Sequence, residues 1–265
     1  MNVSSDSIYQ HFRKEEIPLI DELRDRVNQA INEYRLIITD FLDPRQQFIA
    51  RSLVSQGSGV KVEFNGGIGG AERKRALFYP DYYTPSKEDF GLSLFEIVYP
   101  RKFSQLHHGQ VLGTLANSGL DRSVLGDILT DGDHWQVVVE QQIADYIQLQ
   151  IEKIGRIKVK LEPIPFDQAV KNLDEYEIQT TTLSSLRIDN LISNAFNFSR
   201  KVAKDLIREK RIHVNWTLVD KPDWKIGVHD IVSVRKHGRI KVLDLLGETR
   251  KEKLRVKIGV LNKNR

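Results

Sequence analysis

The sequence contains no cysteine among its 265 residues. Disulfides, cysteine-ligated zinc, iron–sulfur clusters and thiol catalysis are therefore excluded, and the composition suits a reducing cytoplasm. No apolar run approaches the roughly 20 residues that span a bilayer. The first residues, MNVSSDSIYQHFRKEE, lack the apolar core of a signal peptide. Together these absences predict a cytoplasmic protein that does not enter membranes.

Motifs of common enzyme classes are also missing. The dinucleotide fingerprint, the phosphate-binding loop, the zinc-protease pattern and the nucleophile elbow are all absent. The pair His107-His108 is the most suggestive chemistry, but helix neighbours point about 100° apart and no carboxylate cluster accompanies them. We expect one of the two histidines at a helix start. Asp131 and Asp133 flank a glycine, which is typical of a turn. The sequence thus predicts no catalytic residue, metal, cofactor or small-molecule substrate.

Charge is present in abundance but is unevenly distributed. The chain has 40 Lys and Arg against 36 Asp and Glu, a net charge of +4. Residues 184–265 hold 20 basic and 9 acidic residues, so they carry +11, which leaves −7 for residues 1–183. A basic C-terminal module behind a mildly acidic body is typical of a protein that binds polyanions. No long amphipathic helix with exposed apolar residues accompanies the module, so a membrane surface is a poor match.

The basic module contains a helix with two chemically different sides. Ser199 is its predicted N-cap, because its hydroxyl can accept a hydrogen bond from a first-turn amide. At about 100° per residue, Val202, Ala203, Leu206 and Ile207 share one arc and five cations share the other. The five cations are Arg200, Lys201, Lys204, Arg208 and Arg211. The first two lie where the helix dipole disfavours cations by about 0.3–1 kcal/mol each, which favours an external phosphate. The alternative is an ordinary solvated face.

The N-terminal region is predicted to be helical over residues 7–56. Asp43-Pro44 pairs a cap with a first helical position and opens the second helix there. Val60–Phe64 alternates and ends at a glycine-rich tip, which predicts a hairpin. A basic run follows the tip, and the combination is either a phosphate cradle that contacts RNA or a flexible tip with solvated charges. That run is Arg73, Lys74 and Arg75.

The middle of the chain alternates strand and helix signals. Predicted strands cover residues 92–100, 126–130, 134–140 and 156–162, and predicted helices cover 107–118 and 141–154. The order β-α-β-β-α-β is that of the ferredoxin-like unit, which RNA-recognition domains share. The interleaved aromatic residues of the RNA-recognition signature are missing, so Phe95 and Trp135 are predicted as core residues. Topology alone permits RNA binding without establishing it.

These patterns predict a multidomain α+β chain. Its predicted parts are a helical N-terminal region with a β-hairpin over residues 1–75, an RNA-recognition-like α+β domain over 76–163, a connector with one short helix and one edge strand over 164–183, and a C-terminal module over 184–265 of two helices and a small curled antiparallel sheet.

The C-terminal module resembles the S-four RNA-binding domain, named after a small-subunit ribosomal protein. The family pattern matches Arg187-Ile188-Asp189 at the first helix, Ser199-Arg200 at the second, and Val214-Asn215 in the hairpin. The resemblance implies an RNA-binding face. Its residues are Arg187, Ser199, Arg200, Lys201, Lys204, Arg208, Lys210 and Arg211.

Two positions depart from that family pattern. Trp216 stands where glycine usually follows the asparagine, which puts the mirror-type hairpin turn in doubt. His229 stands where glycine usually precedes the aspartate, here Asp230. Trp216 is either an additional RNA contact that stacks on a base or a cover for the hairpin.

The remainder of the chain narrows the resemblance. FNGGIGGAERKRALFYPDYY and HHGQVLGTLANSGLDRSVLGDI are similar to the bacterial YlmH family, over nearly the full length. That resemblance implies a ribosome-associated factor that binds rRNA of the large ribosomal subunit and tRNA, including stalled subunits that carry peptidyl-tRNA. We therefore expect a non-catalytic RNA-binding factor in ribosome-associated quality control or ribosome rescue. The alternatives are an RNA-modifying enzyme, with its activity in residues 1–163, and a protein-interaction scaffold in cell division.

Overall fold

The computed structural model describes residues 12–55, 57–171 and 176–262. The chain forms two compact units, Met1–Leu173 and Asp174–Arg265. The beginning of the predicted N-terminal region, residues 1–11, lies outside the described residues, as do residues 172–175 of the predicted connector. Among the helices in the described ranges, none combines the length and apolar character needed to cross a membrane. The predicted multidomain α+β class is confirmed.

The first unit begins with two helices and a three-stranded antiparallel sheet. The elements are α1 (Ile17–Glu33), β1 (Ile37–Leu42), α2 (Pro44–Ser52), β2 (Val60–Asn65) and β3 (Lys74–Pro80). Helix α1 buries Leu23, Val27 and Ala30, which helical spacing places on one face. Asp43 begins α2 as predicted. Its carboxylate accepts the Gln46 amide at 2.9 Å, and the Gln46 side chain accepts the Asp43 amide in return.

Strand β1 corrects the prediction of helix throughout residues 7–56. It lies at the edge of a sheet with the order β1-β3-β2, and Ile37 pairs with Phe78. The prediction was wrong here because the strand is short and its hydrogen-bonding partner lies far along the sequence. Strand β3 also spans the predicted boundary between residues 75 and 76, since it pairs with β2 as far as Pro80. Residues 76–80 therefore belong to the N-terminal sheet.

The middle of the first unit has the ferredoxin-like topology. Its elements are β4 (Leu92–Val98), α3 (His108–Ala116), β5 (Leu125–Thr130), β6 (Trp135–Glu140), α4 (Ala144–Gln150), β7 (Lys153–Ile154), β8 (Ile157–Lys158) and β9 (Lys160–Ile164). The strand order β5-β6-β4-β9, with every neighbour antiparallel, is the order this topology requires. Phe95 and Trp135 are buried in its core, as predicted.

One segment of this domain differs from the prediction. The helix predicted over residues 141–154 ends at Gln150, and β7 and β8 then form a separate two-stranded hairpin. Gly155 in its turn has φ +59°, a left-handed conformation that ends helices and begins turns. The strand predicted over residues 156–162 is consequently divided into β8 and β9.

The second unit consists of two helices on one face of a six-stranded antiparallel sheet. Its elements are β10 (Glu177–Leu183), α5 (Ile188–Ala195), α6 (Arg200–Arg208), β11 (Ile212–Val214), β12 (Thr217–Leu218), β13 (Ile231–Val234), β14 (Gly238–Glu248) and β15 (Leu254–Asn262). The sheet order is β10-β15-β14-β13-β11-β12. Leu191, Leu206 and Ile258 meet in the core between helices and sheet. Strand β10 pairs with β15 from Glu177 to Leu183, so this part of the predicted connector belongs to the C-terminal unit.

A buried contact between Arg75 and Glu140 joins the two larger sheets of the first unit. Arg75 Nη2 on β3 lies 3.5 Å from Glu140 Oε2 at the end of β6, and both side chains are 5% exposed. Burial raises the pKa of the Glu140 carboxyl to about 7, although the Arg75 charge opposes the shift. The folded chain therefore holds this proton at pH values where an exposed glutamate has released it.

Replacing Glu140 with glutamine is expected to flatten the dependence of stability on pH. Between 4.5 and about 7, the folded chain retains the Glu140 proton while the unfolded chain has lost it. The unfolded state thus binds fewer protons, so the free energy of unfolding falls as pH rises through this window and levels off above it. Urea midpoints across the window should show a shallower slope for Glu140→Gln than for the wild type. The exposed Glu152→Gln variant serves as the control, and an equal slope in all three proteins would contradict the expectation.

Candidate nucleic-acid interface

Helix α6 begins as the sequence predicts. The Ser199 hydroxyl accepts the Val202 amide at 3.2 Å, which satisfies one of the first-turn donors. Ala203, Leu206 and Ile207 are buried. Val202, predicted on the same apolar side, is 44% exposed because it lies at the edge of the buried stripe. The opposite side of α6 faces solvent.

The C-terminal end of α6 sets the position of two further cations. The Arg211 amide donates to Leu206 O at 3.1 Å and the Lys210 amide donates to Ile207 O at 3.0 Å. Lys210 has φ +56°, so the helix ends in a Schellman motif with lysine at the position where glycine is usual. Lys210 and Arg211 therefore lie directly beyond the helix, on the way into β11.

The cations of this face divide into two groups. Lys201, Lys204 and Arg208 form no ion pair or hydrogen bond within the described part of the chain, and Lys201 and Arg208 are exposed. Arg200, by contrast, donates from Nη2 to Ser184 Oγ at 2.9 Å. The other arginines with partners are Arg187, which pairs with Asp189 through two hydrogen bonds of 3.0 and 3.1 Å, and Arg211, which lies 3.3 Å from Glu209. The free group is available to an external anion at no cost in internal contacts.

Tertiary pairing brings further cations to this face, which the sequence analysis missed. The Arg235 amide donates to Arg211 O at 2.9 Å, so the turn after β13 lies beside the end of α6. Lys225 forms a β-bridge with Arg187. The signal available in the sequence was the basic turn 235–239, but its proximity to α6 depends on the pairing of β11 with β13.

The hairpin after α6 forms despite its missing glycine. Val214 pairs with Thr217, so Asn215 and Trp216 are the two turn residues, with φ +48° and +65°. Positive φ at both positions defines the mirror-type turn whose formation was in doubt. The Asn215 amide group donates to Asp230 Oδ1 at 2.9 Å and its carbonyl oxygen accepts the Ile231 amide at 2.9 Å. These bonds hold the turn against β13 without a glycine.

His229 likewise adopts the conformation that glycine would take. Its φ is +72°, and the residue after it, Asp230, is fully buried. Asp230 accepts the Gly227 amide at 2.7 Å as well as the Asn215 side chain. The two departures from the family pattern therefore preserve the backbone and change only the side chains.

Neither alternative for the basic run at residues 73–75, a phosphate cradle or solvated charges, holds for two of its three cations. Arg73 and Arg75 are 5% and 4% exposed. Arg73 donates to Leu125 O, Phe41 O and Arg122 O at 2.8 to 3.1 Å. Arg75 donates to backbone carbonyls as well, at Thr39, Phe90 and Gly91. Both guanidiniums tie the N-terminal sheet to the rest of the first unit, and only Lys74 between them reaches the surface.

The sheet face that RNA-recognition domains use is covered in this chain. Leu94, Leu129 and Val138 on that face pack in one buried cluster with Phe41 of β1. Phe166 packs on the same cluster, and its ring would be only 2.3 Å from a Cβ placed on Gly67 of the glycine-rich loop. Bases therefore cannot stack on this sheet in the manner of an RNA-recognition domain.

The residues weighed as chemical groups occupy structural positions. His107 precedes α3 as its cap and His108 is its first residue, so both lie at a helix start, where one of the two was expected. Asp131 accepts the His134 amide at 2.7 Å and the Asp133 amide at 3.1 Å, so it forms a turn. These bonds lower the pKa of the Asp131 carboxyl. Within the described residues, no group of three His, Asp or Glu side chains is placed to hold a metal ion.

Comparisons with known proteins place these observations in a family. Residues 85–168 match the family model described as "Putative RNA-binding domain in YlmH", and residues 186–232 match the S4 domain. The chain is 36% identical over 249 residues to the "Ribosome-associated protein quality control protein P2" of Bacillus subtilis, covering 94% of this chain and 96% of the relative. It is also similar to a solved structure, "Cell division protein ylmH from Streptococcus pneumoniae", with 36% identity and a TM-score of 0.53. That match covers 62% of this chain and 99% of the solved one. Neither family description names a catalytic activity.

Proposed function

The chain belongs to the YlmH family, and from that premise we propose that it is a non-catalytic factor that binds rRNA or tRNA on the large ribosomal subunit. The proposal includes a role in ribosome-associated quality control or ribosome rescue. Its support is the name of the Bacillus subtilis relative, which matches nearly the full length of the chain.

The observation that carries the proposal is the free group of cations on α6. Lys201, Lys204 and Arg208 have no ion pair or hydrogen bond within the described residues, and helical spacing places them on one side. A surface of this kind neutralises several phosphates at once and releases their counterions, so its affinity falls steeply with salt. Lys210 extends the same surface beyond the end of the helix.

The remaining residues of the face have distinct proposed roles. Arg187 and Arg200 are held by Asp189 and Ser184, which orients their guanidiniums before RNA arrives. Trp216 is half-buried at the tip of the hairpin, and we assign it to stacking on an unpaired base. Ser199 has an indirect role. It caps α6, and the capped first turn directs its remaining free amides toward the phosphate.

Crosslinking in cells followed by sequencing of the bound RNA tests the proposal. Crosslinks should concentrate in rRNA of the large subunit and in tRNA, and the crosslinked peptides should come from residues 187–216. Crosslinks confined to messenger RNA or to the small subunit would exclude the proposed site of action.

A scaffold function in cell division is the second candidate, because the similar Streptococcus pneumoniae structure carries that description. Nuclease treatment separates the two functions. Association with ribosomes through RNA should be lost on digestion, whereas a complex with a division protein should survive it.

A further inference from the structure

The middle domain matches a family model described as a putative RNA-binding domain, and we propose that its RNA-binding surface lies at the end of its sheet where β4 ends and β9 begins. We call this surface the basic end and define it as residues 99–103 together with residues 152–160. The proposal rests on the proposed RNA-binding function and assigns that function a further site. It replaces the covered sheet face as the place where this domain meets RNA.

Strand pairing brings the two segments of the basic end together. Val98, the last residue of β4, pairs with Lys160, the first residue of β9. The loop that follows β4 is therefore adjacent to the β7–β8 hairpin. The hairpin also lies against α3, since a Cβ on Gly155 would be 3.8 Å from Gln110 Nε2.

The basic end has a net positive charge, although the part of the chain that contains it is acidic as a whole. It contains six cations and a single acid, Glu152, within a region, residues 1–183, whose net charge is −7. Two exposed acids, Asp131 and Asp133 of the β5–β6 turn, lie beside it, since the Tyr99 hydroxyl donates to Asp133 O at 3.3 Å. The cations are Arg101, Lys102, Lys153, Arg156, Lys158 and Lys160, and all six are exposed. Arg101 lies 2.7 Å from Glu96, and Lys160 lies 2.8 Å from Glu162. The other four have no ion pair or hydrogen bond in the part of the chain that the structure describes, so they are available to phosphates.

An exposed aromatic ring accompanies these cations. Phe103 is 88% exposed, the highest value among the large hydrophobic residues described, and it directly follows Arg101-Lys102. A phenylalanine in this position gains nothing from the core of its own domain. Cations beside a free aromatic ring are the combination that binds single-stranded nucleic acid, because the backbone meets the charges and a base stacks on the ring.

A polar groove adjoins the hairpin. It has a volume of about 570 Å³ and lies between α3 and the segment that leads into β7. Gly109 and Gly113 bring no side chains into it from α3, whereas Gln110 and Asn117 supply amide groups. Its amide groups can bond to a base edge or a 2′-hydroxyl of an RNA strand. An acidic peptide would also satisfy the cations, and RNA is favoured because it brings phosphates to the charges and a planar base to the ring in one strand.

The test uses the full chain and two RNA probes of mixed sequence, one single-stranded and one duplex, with affinity measured over a range of salt. The variant Arg156→Glu/Lys158→Glu is expected to bind single-stranded RNA about tenfold more weakly, with a salt slope lower by about two. The matched control Lys61→Glu/Lys87→Glu reverses two exposed cations elsewhere on the same unit and should bind like the wild type. Phe103→Ala should lose about fivefold or more on the single-stranded probe and little on the duplex.

Three results would overturn the basic end as an RNA site. The first is that the variant Arg156→Glu/Lys158→Glu, the hairpin variant, binds RNA as tightly as the wild type. The second is an equal loss in the hairpin and control variants, which would indicate a general effect of charge. The third is a hairpin variant that leaves ribosomes but keeps its affinity for free RNA, which would indicate a protein partner. A parallel variant with the α6 cations reversed distinguishes this failure from a failure of the proposed function. If the α6 variant still binds RNA more weakly than the wild type, the proposed function stands and only the assignment of the basic end is wrong.

Discussion

Reversal of three cations on α6, in the variant Lys201→Glu/Lys204→Glu/Arg208→Glu, is expected to release the protein from large ribosomal subunits in sedimentation. Each lost phosphate contact should lower the salt slope by about one, and the three reversals together should cost about 100-fold or more in affinity. The choice of residues follows from the structure. These three cations have no internal partner among the described residues, so their replacement removes external contacts alone.

The control for this variant lies on the opposite face of the same unit. Lys253, Arg255 and Lys257 alternate with Val256 and Ile258, which are buried beneath the helices, so the three cations face away from α6. Reversing them changes the net charge by the same amount. If the control leaves ribosomes as readily as the α6 variant, binding depends on overall charge and not on the face. If the α6 variant still sediments with large subunits, the proposed function is wrong.

Replacement of Arg73 with alanine is expected to destabilise the first unit by about 3–5 kcal/mol without removing an RNA contact. The guanidinium donates to the carbonyls of Leu125, Phe41 and Arg122, and its removal takes a charged donor from each of them. Burial lowers the pKa of Arg73, and the charges of Asp43, Asp127 and Asp121 oppose that shift. A guanidinium held by internal carbonyls in this way stabilises the fold and does not bind an external phosphate.

The neighbouring residue provides a matched comparison. Lys74 belongs to the same basic run but is only half-buried, so Lys74→Ala should change stability by about 0.5 kcal/mol or less. Arg73→Lys should rescue Arg73→Ala poorly, because an ammonium cannot reproduce the fork of guanidinium donors. Denaturant unfolding measures all three. A stable Arg73→Ala protein with weakened RNA binding would restore the phosphate cradle and contradict the structural role.

The two groups of cations, on α6 and at residues 73–75, differ in how well their surroundings could be predicted from the sequence. The stripe of cations on α6 could be predicted because helical period, cap and apolar side all lie within about ten residues, and each was found as expected apart from the exposed Val202. The run at residues 73–75 was equally visible, but its outcome depended on acceptors from distant parts of the chain. These are carbonyls of β1, of β5 and of the residues that precede β4 and β5, together with the Glu140 carboxylate of β6. Nothing local distinguishes the two runs.

The hairpin at Asn215-Trp216 is a second feature that the local sequence did not predict correctly. A missing glycine argued against the mirror-type turn, since only glycine enters the left-handed region without strain. The turn forms because Asn215 bonds to Asp230 and to the Ile231 amide, contacts made across the sheet that offset the local strain.

The sequence by itself determined the class of the fold, the β-α-β-β-α-β order of the middle domain and the amphipathic basic helix, because each is encoded by periodicity and turn chemistry over short spans. Only the tertiary structure decided which cations face water. It buried Arg73 and Arg75, covered the sheet face of the middle domain, and placed Arg235 beside the end of α6 and Lys225 beside Arg187. The reason is that a cation can meet an external anion only where packing leaves it solvated, and packing joins residues that are far apart in sequence.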